Sequence, residues 1–286
     1  MNCEKTYFLT NFFIVEMKEM SLEEIQKESV QILSKIDLFC CNKGINYSIG
    51  YGSLIGAIRH QGFIPWDDDV DIIMTRPNYQ RLVELHKEFS IETGLSLYAP
   101  ELGNCYVRIS RITDNSKTVV NKYYQWTDEQ TGLWIDVFVI DGVKSLESFH
   151  EYQSLFHKCY MTCYSRLALF SNESLLDNCK RLVNSLRCCR WWFVNREKAI
   201  NRSMSTFDLS YDSCPFVGCY DSPYGDKDIY DKEVFSTYLR MPFENITVSV
   251  IANYDKYLVS LYGDYMTLPP VAKRVRGHTM NHYFYK

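Results

Sequence analysis

Gly50-Tyr-Gly-Ser-Leu-Ile-Gly-Ala-Ile-Arg-His-Gln-Gly-Phe-Ile-Pro-Trp-Asp-Asp-Asp-Val-Asp-Ile-Ile-Met74 is the stretch from which the rest of the chain can be read. Ile45 to Tyr51 reads as a strand and Ser53 to His60 as a short helix. Gly52 removes side-chain bulk where the strand turns into that helix, and Ser53 stands where a helix cap is expected. The first turn then offers free N–H groups and the positive end of the dipole, a seat for a phosphate. Arg59, two turns further on, is positioned to add a charge to it. Val70 to Met74 reads as a second strand. Asp69 and Asp71 are two apart, so both carboxylates leave one face while Val70 and Ile72 point into the core. Two like charges held that close repel each other unless a cation lies between them. A hard, oxygen-seeking divalent ion fits best, Mg²⁺ first and Mn²⁺ as its substitute.

A third acid is expected from a neighbouring strand. Leu133-Trp-Ile-Asp-Val-Phe-Val-Ile140 supplies Asp136, alone among hydrophobes, where an isolated carboxylate is costly without a proton, a partner or a metal. Asp141 falls at the predicted strand end before Gly142 and reads as a turn acid. Asp-x-Asp alone is usually a solvated turn, and Gly-Ser before a helix is mostly capping. The order Gly-Ser, short helix, Asp-x-Asp on a strand and a distant strand acid is what points to a catalytic metal site.

Working outward, Ser21 with Glu24 three residues later forms a capping box, apolar residues from Ile25 to Leu38 follow at near-helical spacing, and Gly44 ends that helix. Pro77 suits the first turn of a helix over Asn78 to Phe89. Leu95 to Ala99, Tyr106 to Thr113 and Leu133 to Ile140 read as further strands. The expected fold is therefore α/β, an α+β mixed sheet. From Ser148 to about Met204 the pattern becomes helical, and a last helix is expected over Ile251 to Tyr262. This divides the chain into an N-terminal extension (1–20), a core (21–145), a helical subdomain (146–210) and a C-terminal part that completes the cleft (211–286).

Length and composition agree. At 286 residues the chain is long enough for about two domains or one elaborated one, and 46% apolar and 15% aromatic content excludes disorder and fibrous architectures. Eleven cysteines, an odd number with two adjacent pairs and no paired CxxC, argue against a disulfide framework and a zinc finger. The apolar run Tyr7 to Val15 lacks the features of a signal peptide, so a cytoplasmic protein is expected. The net charge of −4 gives no field for nucleic acid. It is unevenly spread, however. Between Lys180 and Arg202 seven basic residues face Glu197 alone, beside Trp191, Trp192 and Phe193. Lys273, Arg274, Arg276 and Lys286 are unopposed by any acid after residue 272.

Leu54 to Asp71, together with Ile135-Asp-Val-Phe138 and Leu261-Tyr-Gly-Asp-Tyr-Met-Thr-Leu-Pro-Pro-Val-Ala-Lys-Arg274, resembles the LicD family within the nucleotidyltransferase superfamily, related to the fukutin group. The resemblance runs from about Ser21 to Tyr283. It implies a nucleotidyltransferase-like core with a helical insertion and a C-terminal segment. It also implies transfer of phosphocholine, or another phospho-alcohol, from a CDP-linked donor such as CDP-choline to a sugar hydroxyl of a cell-surface polysaccharide, teichoic acid or lipopolysaccharide precursor. Asp69, Asp71 and Asp136 match the family's metal-binding acids, Asp67 and Asp68 belong to the same motif, and Asp67 or Asp136 would take the acceptor proton. Gly52, Ser53, Arg59, Lys273 and Arg274 are the expected donor-binding residues.

Two other functions stay open on the residues. A nucleotidyltransferase that moves a nucleoside monophosphate and releases diphosphate uses the same acids, and a glycan-binding or scaffold protein needs none of them. For residues 180–202 a core-facing helix with a charged outer face competes with a segment docking on anionic lipid, which would place the protein peripherally at the inner face of the membrane.

Overall fold

The computed structural model describes residues 6–10, 13–121, 126–164, 211–277 and 281–286, with single positions at 179, 182, 183, 186, 189, 193 and 195. Two strands, β1 (Thr6–Thr10) and β2 (Phe13–Met17), form a separate hairpin. Helix α1 (Leu22–Lys43) begins at the expected capping box and ends on Gly44 in the left-handed conformation. Its buried stripe, Ile25, Ile32, Leu33, Ile36 and Phe39, covers the sheet.

The sheet is built on one long strand. β3 (Ser48–Ile49) pairs antiparallel with β4 (Asp71–Thr75), and β4 pairs parallel with β8 (Leu133–Val143). The other edge of β8 is shared. Its first half carries β6 (Ser110–Asp114), with β5 (Ser96–Tyr98) outside it, and its last three residues carry β9 (Phe216–Gly218) and then β10 (Ile229–Tyr230). Helix α2 (Tyr51–His60) connects β3 to the acidic stretch, and α3 (Arg76–Glu84), α4 (His86–Thr93) and α5 (Leu146–Tyr164) follow along the chain. Two further strand pairs complete it: β7 (Thr118–Asn121) with β13 (His282–Tyr285), and the hairpin β11 (Tyr238–Phe243) to β12 (Ile246–Ile251) before α6 (Tyr254–Tyr262). This is the expected mixed α/β sheet.

Several boundaries depart from the sequence reading. The first strand is only two residues long, because Gly50 already acts as the cap of α2 and Tyr51 enters it at φ +47°. The helix expected over Asn78 to Phe89 breaks at Leu85. The His86 ring nitrogen holds the Val83 carbonyl at 2.8 Å, an acceptor that a continuous helix gives to residue 87. The last helix starts at Tyr254, since the β-branched run Ile246 to Ile251 is taken by the hairpin. Of the expected helical subdomain only α5 is described; nearly all of the basic stretch 180–202, and His278, lie outside the described residues. The seven described cysteines are free thiols, as expected of a reduced protein. Among the described residues no helix is long and apolar enough to cross a membrane.

One glycine fixes the path toward the acids. A Cβ on Gly56 would lie 2.4 Å from the Gly62 carbonyl oxygen, so only glycine lets α2 and the returning chain approach this closely.

Candidate active site

The acids converge because of register. Asp71 of β4 lies opposite Asp136 of β8, and Asp136 lies opposite Arg111 of β6, so the three form one row across three strands. Side chains in one row leave the same face of a sheet. There they line a cavity of about 860 Å³ with Gly52, Asp67 and Asp69, facing Tyr220 to Tyr224 and Tyr262.

Each acid has its own support. Asp136 Oδ1 accepts from Arg111 Nε at 2.7 Å and Oδ2 from Trp134 Nε1 at 3.2 Å. Arg111 is itself held between the rings of Trp126 and Trp134, at 4.5 and 4.6 Å. The Asp71 amide donates to Ser53 Oγ at 3.0 Å. Asp67 reaches the start of α2, where its Oδ2 would lie 3.1 Å from a Cβ placed on Gly52. The positive end of the helix dipole favours a carboxylate there. Asp68 is buried, and its Oδ2 accepts from Arg276 Nε at 2.6 Å.

Concentrating negative charge here has a measurable electrostatic result. Burial, and then the neighbouring Asp69, Asp136 and Asp67, push the Asp71 carboxyl well above the usual carboxylate range. One oxygen each of Asp67, Asp68 and Asp69 lies within 4.8 Å of the others. Carboxylate oxygens crowded this closely are the donor set that Mg²⁺ or Mn²⁺ prefers, so the residues fit the expected ion. The oxygens brought this close belong to Asp67, Asp68 and Asp69; of the expected ligands Asp69, Asp71 and Asp136 only Asp69 is in that group, while Asp71 and Asp136 line the same cavity.

Other expected site residues are placed differently. Ser53 is not the cap of α2, which starts two residues earlier; it is buried and serves the Asp71 amide. The Gly52 position is occupied by the approach of Asp67 rather than left as an open seat. Arg59 donates to the Tyr265 carbonyl at 2.7 Å and to His60 at 3.0 Å, Arg274 donates to the Pro269 carbonyl and lies 5.7 Å over Trp66, and Lys273 is exposed. None of these three cations is among the residues lining the cavity. Asp141 is not a turn acid. It is buried inside β8, and both its oxygens accept from Arg76, at 2.5 and 2.7 Å, with Arg108 at 3.7 Å.

Sequence reasoning missed Arg111, the one Lys or Arg among the described residues that lines the cavity, and the aromatic segment Tyr220 to Tyr224. No motif marks either; Arg111 is recognisable only through its pairing opposite Asp136. It also missed Asp228, fully buried in the turn after that segment, which accepts from the Tyr51 hydroxyl at 2.7 Å. Burial raises the Asp228 carboxyl from 3.8 to about 6. A raised value means that the folded protein binds this proton more tightly than the unfolded chain, so its contribution to stability falls as pH climbs from about 4 through about 6. Asp228→Asn should remove that loss. By the 1.36 kcal/mol per tenfold proton affinity, its gain at pH 8 over pH 4 is about 3 kcal/mol relative to the parent. Urea unfolding at both pH values measures it; equal pH dependence in parent and variant would refute the assignment.

Comparison with known proteins gives three findings. The family model described as LicD/FKTN/FKRP, nucleotidyltransferase domain, matches residues 44–160. The lipopolysaccharide cholinephosphotransferase LicD of Haemophilus influenzae is 30% identical over 283 residues, covering 93% of this chain and 99% of that one. An uncharacterized protein of Rickettsia typhi is 44% identical over 59 residues, 21% of this chain and 17% of its own.

Proposed function

Because the chain belongs to the LicD family, we propose that it moves phosphocholine from a CDP-linked donor to a sugar hydroxyl of a lipopolysaccharide or similar cell-surface glycan precursor, with CMP as the leaving group. Phosphocholine transfer onto lipopolysaccharide is what the Haemophilus relative's name describes, and the near end-to-end match supports carrying it over. The observation that supports this reading best is the row Asp71–Asp136–Arg111 with Asp67 and Asp69 at the cavity wall.

When bound, a divalent ion would supply charge neutralisation on the donor's pyrophosphate oxygens. The chain's own residues do the rest. Arg111, locked between two indole rings, presents a fixed guanidinium beside the acids, suited to a phosphate oxygen. The Arg111 and Trp134 hydrogen bonds hold Asp136 in one orientation, which spares reorganisation when charge develops. Asp67 or Asp136 takes the acceptor hydroxyl proton, both being carboxylates at the cavity wall.

The test is incubation of pure protein with Mg²⁺ and a panel of CDP-alcohols and nucleoside triphosphates, in the presence of a glycan acceptor. CMP released from CDP-choline, and abolished by EDTA, is the expected result. Diphosphate released from a triphosphate would replace this reading with nucleotidyl transfer.

A further inference from the structure

The cavity that holds the acids is also lined by aromatic rings. Tyr51, Phe138, Tyr220, Tyr224 and Tyr262 all line it. Tyr51 packs against Phe138 with centroids 4.7 Å apart and stacks on Tyr224 at 5.7 Å; Tyr224 meets Tyr262 edge-on at 5.1 Å, and their hydroxyls are 2.7 Å apart. The half-buried members Phe138, Tyr224 and Tyr262 offer the cavity their ring surface, and the buried Tyr51 fixes two of them in place. One charge is built into this wall. Asp221 lines the cavity with its side chain only 4% exposed, and its Oδ1 makes no hydrogen bond, having Arg108 Nε at 3.6 Å.

Arg108 pairs with that oxygen only at 3.6 Å and is shared with Asp141 at 3.7 Å, so the carboxylate keeps a negative potential that suits a cation unable to donate a hydrogen bond. The geometry points to this wall as the seat of a quaternary ammonium group, with Tyr224 and Tyr262 giving cation–π contact and Asp221 the counter-charge. Rings and carboxylate share one cavity with the acid row, which suits a zwitterion carrying both a phosphate and a trimethylammonium group. This assignment rests on the phosphocholine reading and makes the β9–β10 connection the element that selects the donor alcohol.

Isothermal titration in Mg²⁺ buffer with phosphocholine, glycerol 3-phosphate and CMP tests it without requiring turnover. The parent should bind phosphocholine at least about tenfold more tightly than glycerol 3-phosphate, the head-group cation being their main difference. In Tyr224→Leu and in the isosteric Asp221→Asn that ratio should fall below about threefold, with CMP binding unchanged. A parent ratio near one overturns the assignment, as does a ratio that survives both variants. Weakened CMP binding with the ratio intact would assign the rings to the nucleobase instead. Preference for phosphocholine in a protein that releases no CMP from CDP-choline would keep the seat and discard the transfer. CMP release without the preference would do the reverse.

Discussion

Asp71→Asn is expected to lower CMP release from CDP-choline by about 1,000-fold, roughly 4 kcal/mol of transition-state stabilisation, while raising the melting temperature of the metal-free protein. The two effects have one cause. Asp71 is half-buried among Asp69, Asp136 and Asp67, so its carboxyl sits well above the usual range and its ionisation costs stability whenever no cation is bound. Asparagine keeps the shape and removes the charge, and relief of about 1 kcal/mol would raise the melting point by about 2–4 °C. Mg²⁺ should reverse the order. At a hundredfold excess over its dissociation constant it stabilises the parent by about 2.7 kcal/mol and the variant by much less. Thermal melts in EDTA and in Mg²⁺, beside the CMP assay, give all four values. A variant that melts lower than the parent in EDTA would show that Asp71 is a structural hydrogen-bonding group and not a strained ligand.

The largest loss of stability is expected at Asp141, outside the acid row. Asp141→Asn should cost about 3–5 kcal/mol, because it leaves Arg76 buried without its carboxylate partner. Arg76 gives Nε and Nη2 to Asp141 at 2.5 and 2.7 Å and Nη1 to Glu101 at 3.0 Å, and Arg108 stands 3.7 Å from Asp141. Removing one charge from such a cluster exposes the desolvation cost of the others, whereas removing the pair does not. The double variant Arg76→Met with Asp141→Leu should therefore recover more than half of the loss, Arg108 keeping Asp221. Denaturant midpoints of the three proteins measure this; a single variant within about 1 kcal/mol of the parent would show that the cluster is not a stabilising unit.

These two aspartates show how much was legible in advance. Both sit on one strand, five residues apart, and local pattern separated them by surroundings: Asp136 among hydrophobes, Asp141 before a glycine. The separation singled out Asp136, which lines the cavity beside Arg111, but mistook Asp141, since a glycine after an acid looks the same whether the strand stops or runs on to Val143. What carries the strand onward is pairing with β9, which comes more than seventy residues later. Ser53 failed for a similar reason. A serine after a glycine is a fair helix cap, yet the helix starts at Tyr51, in a left-handed conformation that propensity does not favour, and the hydroxyl is used across the sheet.

By itself the sequence determined the elements whose causes are local: the capping box of α1, its glycine end, the alternation that buries Val70 and Ile72 while turning Asp69 and Asp71 outward, and the family signature around them. These depend on residues within about four positions of one another, where backbone geometry leaves few choices. Only the tertiary structure decided which cation faces the acids. Arg59 was expected from its place after Ser53, and Lys273 and Arg274 from the family resemblance; Arg59 and Arg274 bond backbone carbonyls and Lys273 is exposed, while Arg111 is brought to the cavity by strand register. The aromatic wall is decided in the same way, because β9, β10 and α6 must dock before their tyrosines share a cavity with Asp71. Charge and ring contacts act over a few ångströms of space, and no spacing along the chain encodes them until the sheet has fixed which strands are neighbours.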